Sequence, residues 1–333
     1  MKSRTATLVL LLAAVVPGFR ADDAAPQRAP VLRLAGNAQL GGLVERWETG
    51  FRQLHPDVAI ETHLTGSDTG MAALYTGRAD IALLGREPTA SEIQAFEWIH
   101  RHRPTQIEVA TGSLDRPGRS PAVVVFVQRD NPIRSLTLAQ LAAVFGSEPG
   151  PASASPRTWS LLGLSGEWAS RPVHLYGPDA MSGTGRYFRH VVLHDSRMMN
   201  WSQLTEFHDT ALTGPGADDA GRKALAALAG DPAGLALASL GDATDGVRAV
   251  ALAATDGSGP VAATRAAVAA REYPLSRAIL ACYDRPPGGR PSPVVGEFLD
   301  YVLGPAGQQA ITEDAGWLPL PSIPSSASHP RSD

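Results

Sequence analysis

The stretch VLRLAGNAQLGGLVERWETGFRQLHPDVAIETHLTGSDTGMAALYTGRADIALL, residues 31–84, alternates short apolar runs with segments of helical periodicity. The runs at residues 31–35, 58–62 and 79–84 are typical of buried strands. Between the first two, apolar residues recur at steps of three and four and predict an amphipathic helix closed by His55-Pro56: Leu40, Leu43, Val44, Trp47, Phe51 and Leu54. The turn at residues 66–70 leads into a second helix. This β-α-β-α-β order predicts a mostly parallel sheet covered by helices.

The rest of the chain continues the α/β pattern. We predict strands at residues 121–127, 235–240 and 247–252, and a long extended segment at residues 273–283. Helices are predicted at residues 137–145, 218–228, 261–270, 294–303 and 305–312, and the Pro- and Ser-rich residues 146–158 predict an exposed loop. With 333 residues, 44% of them hydrophobic, the chain is large enough for two lobes.

Both ends of the chain differ from this pattern. Lys2 and Arg4 precede an apolar run at residues 6–16 and then Pro17-Gly18, which is the order of a secretory signal peptide. We predict a signal at residues 1–21, because the run is too short to anchor the protein across a bilayer. A buried N-terminal helix is the alternative. Residues 322–333 are predicted to form a disordered tail.

Composition narrows the classes of partner. The formal net charge is −4, and the signal peptide would remove three basic residues and no acidic ones. This argues against nucleic acid, which favours a clustered basic face. A small anion is not excluded, because local dipoles rather than net charge create such a site. The single cysteine, Cys282, cannot form an internal disulfide, so the exported protein must be stabilised by its core alone.

Three predicted joints between a strand and a helix carry small polar residues. They are residues 36–39 (GNAQ), 66–70 (GSDTG) and 182–185 (SGTG). The first N–H groups of a helix lack internal partners and lie at the positive end of its dipole, so such joints bind anions. Ser, Thr, Asp and Gly are also the ordinary helix-capping residues, so simple capping remains open at each joint. Several joints that meet in one cleft would favour anion binding.

Two other chemistries are weaker alternatives. Ser182 lies in Ala-Met-Ser-Gly-Thr, which lacks the Gly-x-Ser-x-Gly elbow of a serine hydrolase, although His190, His194 and His208 follow it. His190 and His194 are four residues apart on a predicted helix and could share a metal ion, but the glutamate of a His-Glu-x-x-His motif is missing. A solvated helix face explains this pair equally well.

Several stretches in a fixed order resemble the extracytoplasmic phosphate-binding proteins of ABC transporters. They are LVERWETGFRQLHPDVAIE (43–61), GSDTGMAALYTGRADIALLGREP (66–88), AVVVFVQRDNP (122–132), LTLAQLAAVFG (136–146), SGTG (182–185), REYPLSRAILACY (271–283) and FLDYVLGPAGQQAITEDAGWLPLP (298–321). Together they extend over nearly all of the chain after the signal peptide. The resemblance lies in their order, since no single stretch is diagnostic.

The resemblance implies a two-lobed type II periplasmic-binding-protein fold, in which each lobe is a mostly parallel sheet flanked by helices. Lobe 1 would hold residues 31–120 and 284–321, and lobe 2 would hold residues 129–272. Two crossover strands, residues 121–128 and 273–283, would join the lobes as hinges. Members of this family trap phosphate between the lobes with hydroxyl groups and helix N-termini.

The family's ligand residues match this chain only in part. Ser67 matches the serine of the second loop, and Ser182, Gly183 and Thr184 match its Ser-Gly-Thr. Gln39, followed by Leu40, stands where the first loop usually carries a hydroxyl. Gly85 replaces the usual acid or serine after the third strand, and Pro178 lies at or beside the place of an arginine. Arg86 or Arg186 could supply the missing positive charge, and Arg86 is the better candidate because it follows a strand end.

The predicted function is therefore an exported solute-binding protein of an ABC transport system, periplasmic and expected to be a monomer. It would bind phosphate or a related oxyanion without a cofactor or metal and pass it to a membrane permease. The alternative is a diverged sensor or scaffold of the same fold that binds another small ligand or a protein partner. Gln39, Gly85 and Pro178 favour this alternative. A serine hydrolase that uses Ser182 ranks third.

Overall fold

Two five-stranded sheets, each covered by helices, form the protein. The computed structural model describes residues 29–116, 119–147, 157–195, 198–211, 219–313 and 316–321. The predicted signal peptide (1–21), most of the predicted loop (146–158) and the predicted tail (322–333) lie outside these residues.

The strands and helices of the described residues are numbered here in chain order. The strands are β1 (Val31–Gly36), β2 (Ala59–Leu64), β3 (Ile81–Leu84), β4 (Thr105–Thr111), β5 (Val124–Gln128), β6 (Ser135–Thr137), β7 (Gly146–Ser147), β8 (His174–Pro178), β9 (Met198–Met199), β10 (Leu204–Phe207), β11 (Gly234–Ala238), β12 (Val247–Ala249), β13 (Ala251–Ala253) and β14 (Ala278–Tyr283). The helices are α1 (Gly41–Leu54), α2 (Ser67–Tyr75), α3 (Ala90–His100), α4 (Leu138–Phe145), α5 (Gly183–Leu193), α6 (Ala220–Ala229), α7 (Arg265–Ala269), α8 (Pro293–Leu303) and α9 (Pro305–Glu313).

The first sheet has the strand order β2-β1-β3-β14-β4. β1 is parallel to both β2 and β3, as the β-α-β-α-β order predicts. β14 returns from the end of the chain and runs antiparallel to β3 and β4, so the sheet is mixed rather than wholly parallel. Apolar side chains fill both of its faces, with α1, α8 and α9 on one face and α2 and α3 on the other. Cys282 lies in this core, where burial raises the pKa of its thiol.

The second sheet has the strand order β10-β8-β11-β5-β12. β8, β10 and β11 are mutually parallel, whereas β5 is antiparallel to β11 and to β12. A large core on one face includes α4, α5 and α7, and α6 covers the other face. In the described part of the chain, no helix has the length and apolar character needed to cross a membrane.

The chain crosses between the sheets twice, after β4 and before β14. The first crossing segment (residues 112–116 and 119–123) is bonded near its two ends to the second (residues 273–277). Gly112 N–H donates to the Arg277 carbonyl at 2.9 Å, and Val123 N–H donates to the Leu275 carbonyl at 3.1 Å. The Tyr273 hydroxyl adds a bond of 3.1 Å to the Val123 carbonyl. These bonds give the buried backbone of the crossings partners outside any sheet.

Three predicted elements are shorter or broken. The extended segment predicted at residues 273–283 begins with a turn, because Ser276 N–H and its hydroxyl both donate to the Tyr273 carbonyl, and only residues 278–283 form a strand. The helix predicted at residues 261–270 forms only at 265–269, since Val261 pairs with Leu252. The strand predicted at 247–252 is divided at Val250, whose N–H bonds to β5. The boundaries of the lobes and of the hinge strands stay a prediction.

Gly36 is the point where β1 ends against β3. Its φ of +152° lies in the region that favours glycine, and a Cβ there would lie 2.0 Å from the Leu83 carbonyl oxygen. A side chain would therefore push apart two strands that end beside each other.

We expect Gly36→Ala to lower the free energy of unfolding by at least about 3 kcal/mol, because it combines backbone strain with a clash in the core. Gly41→Ala is the matched control, since a Cβ at Gly41 meets nothing within 4 Å and the residue is helical. This control should be stabilising by about 0.5–1 kcal/mol. Urea unfolding followed by circular dichroism measures both values, and equal midpoints would contradict the role of Gly36.

Candidate functional site

A cavity of about 670 Å³ lies between the two sheets. The residues that follow the carboxyl ends of six parallel strands all line it: Asn37 after β1, Thr65 after β2, Gly85 after β3, Asp179 after β8, His208 after β10 and Ser239 after β11. Ligands of open α/β sheets bind at this edge, so the cavity is the best candidate for the functional site. Ser67 and Ser182 share this cavity although they belong to different sheets.

Seven of the eight residues predicted for the site line the cavity: Gln39, Ser67, Arg86, Ser182, Gly183, Thr184 and Arg186. Leu40 does not. Its side chain is fully buried in the core of the first sheet, and its N–H donates to the Asn37 carbonyl at 3.1 Å. Leu40 therefore lies outside the residues that line the cavity, because an apolar side chain at this turn packs under the sheet.

Ser182 caps helix α5. Its Oγ accepts a hydrogen bond from Gly185 N–H at 3.1 Å and donates to the Asp179 carbonyl at 2.5 Å. Gly185 permits this tight start, because a Cβ at this position would lie 2.3 Å from the Asp179 carbonyl oxygen. The Ser182 hydroxyl is therefore used for capping, whereas Gly183 and Thr184 of the same joint line the cavity.

The hydroxyl groups of Ser67 and Thr184 are arranged differently. Ser67 Oγ accepts a hydrogen bond from Gly85 N–H at 3.3 Å, and Thr184 Oγ1 accepts one from Arg277 Nη1 at 3.2 Å. Each oxygen accepts from the protein and so keeps its own proton to donate. Two hydroxyl donors from opposite sheets can thus bind the same anion.

The two predicted arginines are both paired with acids. Arg86, only 4% exposed, bonds Glu92 at 2.8 and 2.9 Å and also bonds Asp68. Burial disfavours the charged form of Arg86, but Glu92 and Asp68 outweigh this effect and raise the pKa of the guanidinium. Arg186 of the second sheet bonds the same Asp68 Oδ1 at 3.0 Å. Asp68 therefore links the two sides of the cavity and offsets part of their positive charge.

Arg277 is the cationic site residue that sequence reasoning missed. It lies in the second crossing segment, is 4% exposed and lines the cavity. Its Nη2 donates to the Gly85 carbonyl of the first sheet at 2.5 Å, and its Nη1 donates to Thr184 of the second. The guanidinium also lies 5.2 Å from the ring centroid of Tyr187, which favours a cation. A lone arginine within the apolar stretch YPLSRAILACY was the available signal.

The remaining predicted features have local roles. Gln39 accepts from Ser120 N–H at 3.3 Å through Oε1 and from Arg119 at 2.6 Å through its carbonyl. Pro178 ends β8 beside Phe207 and lines the cavity. His190 Nδ1 bonds Asp195 at 2.7 Å, and His194 ends α5 in a left-handed conformation. Within the described residues, no three His, Cys, Asp or Glu side chains are grouped to hold a metal ion.

Comparison with known proteins identifies the family. Residues 22–306 match the PBP superfamily domain, and the chain belongs to this superfamily. The phosphate-binding protein PstS of Pseudomonas aeruginosa is 30% identical over 312 residues, which cover 93% of this chain and 90% of that protein. The chain is thus a relative of the phosphate-binding proteins of ABC transporters, as the resemblance indicated, and these homologues are transport receptors rather than enzymes.

Solved structures support the fold. An ABC-type phosphate transport receptor from Vibrio cholerae has a TM-score of 0.55 at 17% identity, with 86% of this chain and 99% of that chain covered. PstS from Borrelia burgdorferi has a TM-score of 0.58 at 14% identity, with 88% and 100% covered. The predicted class, a two-lobed α/β binding fold, is confirmed, with strands that are mostly parallel but mixed in both sheets.

The capping role of Ser182 is testable. Ser182→Ala should lower the free energy of unfolding by about 1 kcal/mol, because Gly185 N–H loses its partner. Ser182→Thr keeps a hydroxyl that both accepts from Gly185 N–H and donates to the Asp179 carbonyl, and it should recover most of this loss. Chemical unfolding of the three proteins measures the difference. An alanine variant as stable as the wild type would show that the hydroxyl does not cap α5.

Proposed function

We propose that this protein is an exported solute-binding protein of an ABC transport system, and that it binds phosphate or a related oxyanion in the cavity between its sheets. One observation carries the proposal: Ser67, Thr184 and Arg277 reach a single cavity from the first sheet, the second sheet and the crossing between them. Hydroxyl donors, helix N-termini and a buried guanidinium are the groups that recognise an oxyanion.

Arg277 is the best candidate for the ligand's counter-ion, because it is buried, lines the cavity and bonds the Thr184 hydroxyl and the Gly85 carbonyl from the crossing between the sheets. Arg86 and Arg186 lie on either side of the cavity and both contact Asp68. The Arg277 guanidinium lines the cavity and bonds the Thr184 hydroxyl, so it can offset the charge of an anion that binds to this hydroxyl. This assignment replaces Arg86 as the preferred cation.

Binding would work by closure of two lobes, with residues 31–120 and 284–321 on one side and residues 129–272 on the other. The bonded crossing segments at residues 112–123 and 273–277 are where such closure would bend the chain. A ligand drives closure only through contacts that are better in the closed state, so an anion held from both sides is a suitable driver. The closed protein would then deliver the anion to a membrane permease outside the cytoplasm.

A diverged sensor or scaffold of the same fold remains the second candidate. Gln39 favours it, because its side chain is used to hold Ser120 N–H. The intact Ser67 and Thr184 donors favour the transport receptor.

Phosphate should raise the melting temperature of the purified mature protein by several degrees. A ligand at about 100 times its Kd stabilises the native state by about 2.7 kcal/mol. Differential scanning fluorimetry with phosphate, sulfate and uncharged solutes measures the shift at matched ionic strength. A shift with another solute and none with millimolar phosphate would reject phosphate. No shift with any anion would favour the sensor or scaffold.

Arg277→Lys should weaken phosphate binding at least tenfold, because an ammonium cannot bond Gly85, Thr184 and an anion with the geometry of the planar guanidinium. Arg86→Lys is the matched control, since the same exchange at a cation held by Glu92 and Asp68 should change Kd by less than about threefold. Isothermal titration calorimetry measures both, and circular dichroism verifies folding. A greater loss with Arg86→Lys would assign the ligand's counter-ion to Arg86 instead.

A further inference from the structure

Gly85 has no side chain, and the volume that a side chain would fill in the cavity wall is occupied by Asn37 and Ser120. A Cβ built on Gly85 would lie 2.4 Å from Asn37 Nδ2 and 2.5 Å from Ser120 Oγ. Here any side chain would collide with the amide and the hydroxyl, so the absence of a side chain is what lets Asn37 and Ser120 approach each other.

Asn37 presents a donor at this point. Its Oδ1 accepts a hydrogen bond from Gln39 N–H at 2.9 Å and caps the short turn at residues 38–40. The Nδ2 group is therefore the end of the amide that lies beside Gly85. No residue in the described part of the chain accepts a hydrogen bond from it, so both of its protons are available to a ligand in the cavity.

Ser120 presents a second donor. The residue is 2% exposed, and its Oγ has no hydrogen-bond partner among the described residues. Its backbone is held at a φ of +43°, a conformation that costs free energy for serine. Ser120 N–H bonds Gln39 Oε1, which fixes this conformation and keeps the hydroxyl beside Gly85. A buried hydroxyl without a partner is costly, and a ligand oxygen would satisfy it.

We propose that Asn37 Nδ2 and Ser120 Oγ form a neutral subsite with two donors, and that it binds one deprotonated oxygen of the anion. The inference rests on the proposed function and specifies its ligand class. An acid at this position would require a proton on the facing oxygen, which hydrogen phosphate has and sulfate lacks. Two neutral donors require no proton on the ligand oxygen that faces them. The cavity therefore accepts fully deprotonated tetrahedral oxyanions as well as hydrogen phosphate.

The acids that line the cavity do not restore such a requirement. Each already serves as an acceptor within the protein: Asp68 for Arg86 and Arg186, Asp179 for Met181 N–H, Asp209 for Ala220 N–H and Asp242 for Ser239 N–H. Each of the four thus has one carboxylate oxygen engaged by a cation or an amide, whereas the position beside Gly85 holds an amide and a hydroxyl. Selectivity between sulfate and phosphate should therefore depend on the Asn37–Ser120 pair.

Asn37→Asp tests this directly, because aspartate retains the capping oxygen and replaces the neutral donor with a negatively charged acceptor. Wild-type protein should bind both sulfate and phosphate in calorimetric titrations at neutral pH. In the variant, sulfate affinity should fall about a hundredfold, while phosphate affinity falls by less than about tenfold because hydrogen phosphate can donate its proton to the new carboxylate. The ratio of the two affinities should shift toward phosphate at least tenfold.

Two further variants complete the experiment. Gln53→Glu adds the same negative charge on the exposed face of α1, outside this cavity, and should leave the ratio unchanged. Ser120→Ala keeps the backbone conformation as accessible as in serine and should weaken both anions about tenfold. It keeps the proposal testable should Asn37→Asp fail to fold.

The outcomes separate this inference from the proposed function. Wild-type protein that binds phosphate but not millimolar sulfate would overturn the neutral subsite and leave the proposed function intact. The neutral subsite would also be overturned, and the proposed function left intact, if Asn37→Asp did not change the ratio of sulfate to phosphate affinity and Ser120→Ala did not change either affinity. Wild-type protein that binds neither anion would overturn both.

Discussion

The position of the cavity depends on the hydrogen bonds between the two crossing segments. Gly112 and Val123 of one segment donate to the carbonyls of Arg277 and Leu275 in the other, so the segments satisfy each other's buried backbone. With the segments paired in this way, the carboxyl ends of the parallel strands of both sheets face the same cavity. Ser120 and Arg277 belong to the crossing segments and also line the cavity. The same residues therefore connect the sheets and form part of the candidate ligand site.

The distribution of donors and charges in the cavity follows from this arrangement. Hydroxyls that accept from the protein keep a proton for a ligand, as at Ser67 and Thr184. Asp68 holds the positive charges of Arg86 and Arg186 together across the cavity. An anion site built largely from neutral donors and one further buried guanidinium is compatible with the acidic composition of the chain, because the recognition is local.

Sequence reasoning found the joints of the site but not all of its side chains. Ser67 and residues 182–184 could be found because capping residues directly after a strand are a local pattern. The position of Leu40 in the core was not foreseen, since local sequence does not show whether a turn residue faces the core or the cavity. Arg277 was missed because its segment was predicted to be a plain strand. Asn37 was found only as a member of the joint at residues 36–39, and Ser120 was missed, because their approach to each other depends on Gly85, which is 48 and 35 residues away from them in the chain.

The amino-acid sequence was sufficient to specify most of the elements and their α/β order, because hydrophobic periodicity and capping act over a few residues. The two-lobed class followed from the resemblance to a known family. The return of β14 into the first sheet, the bonding of the crossings and the contact of Arg186 with Asp68 required the folded chain. Those features join residues that are distant in sequence, and their geometry follows from how two sheets pack around a common connection.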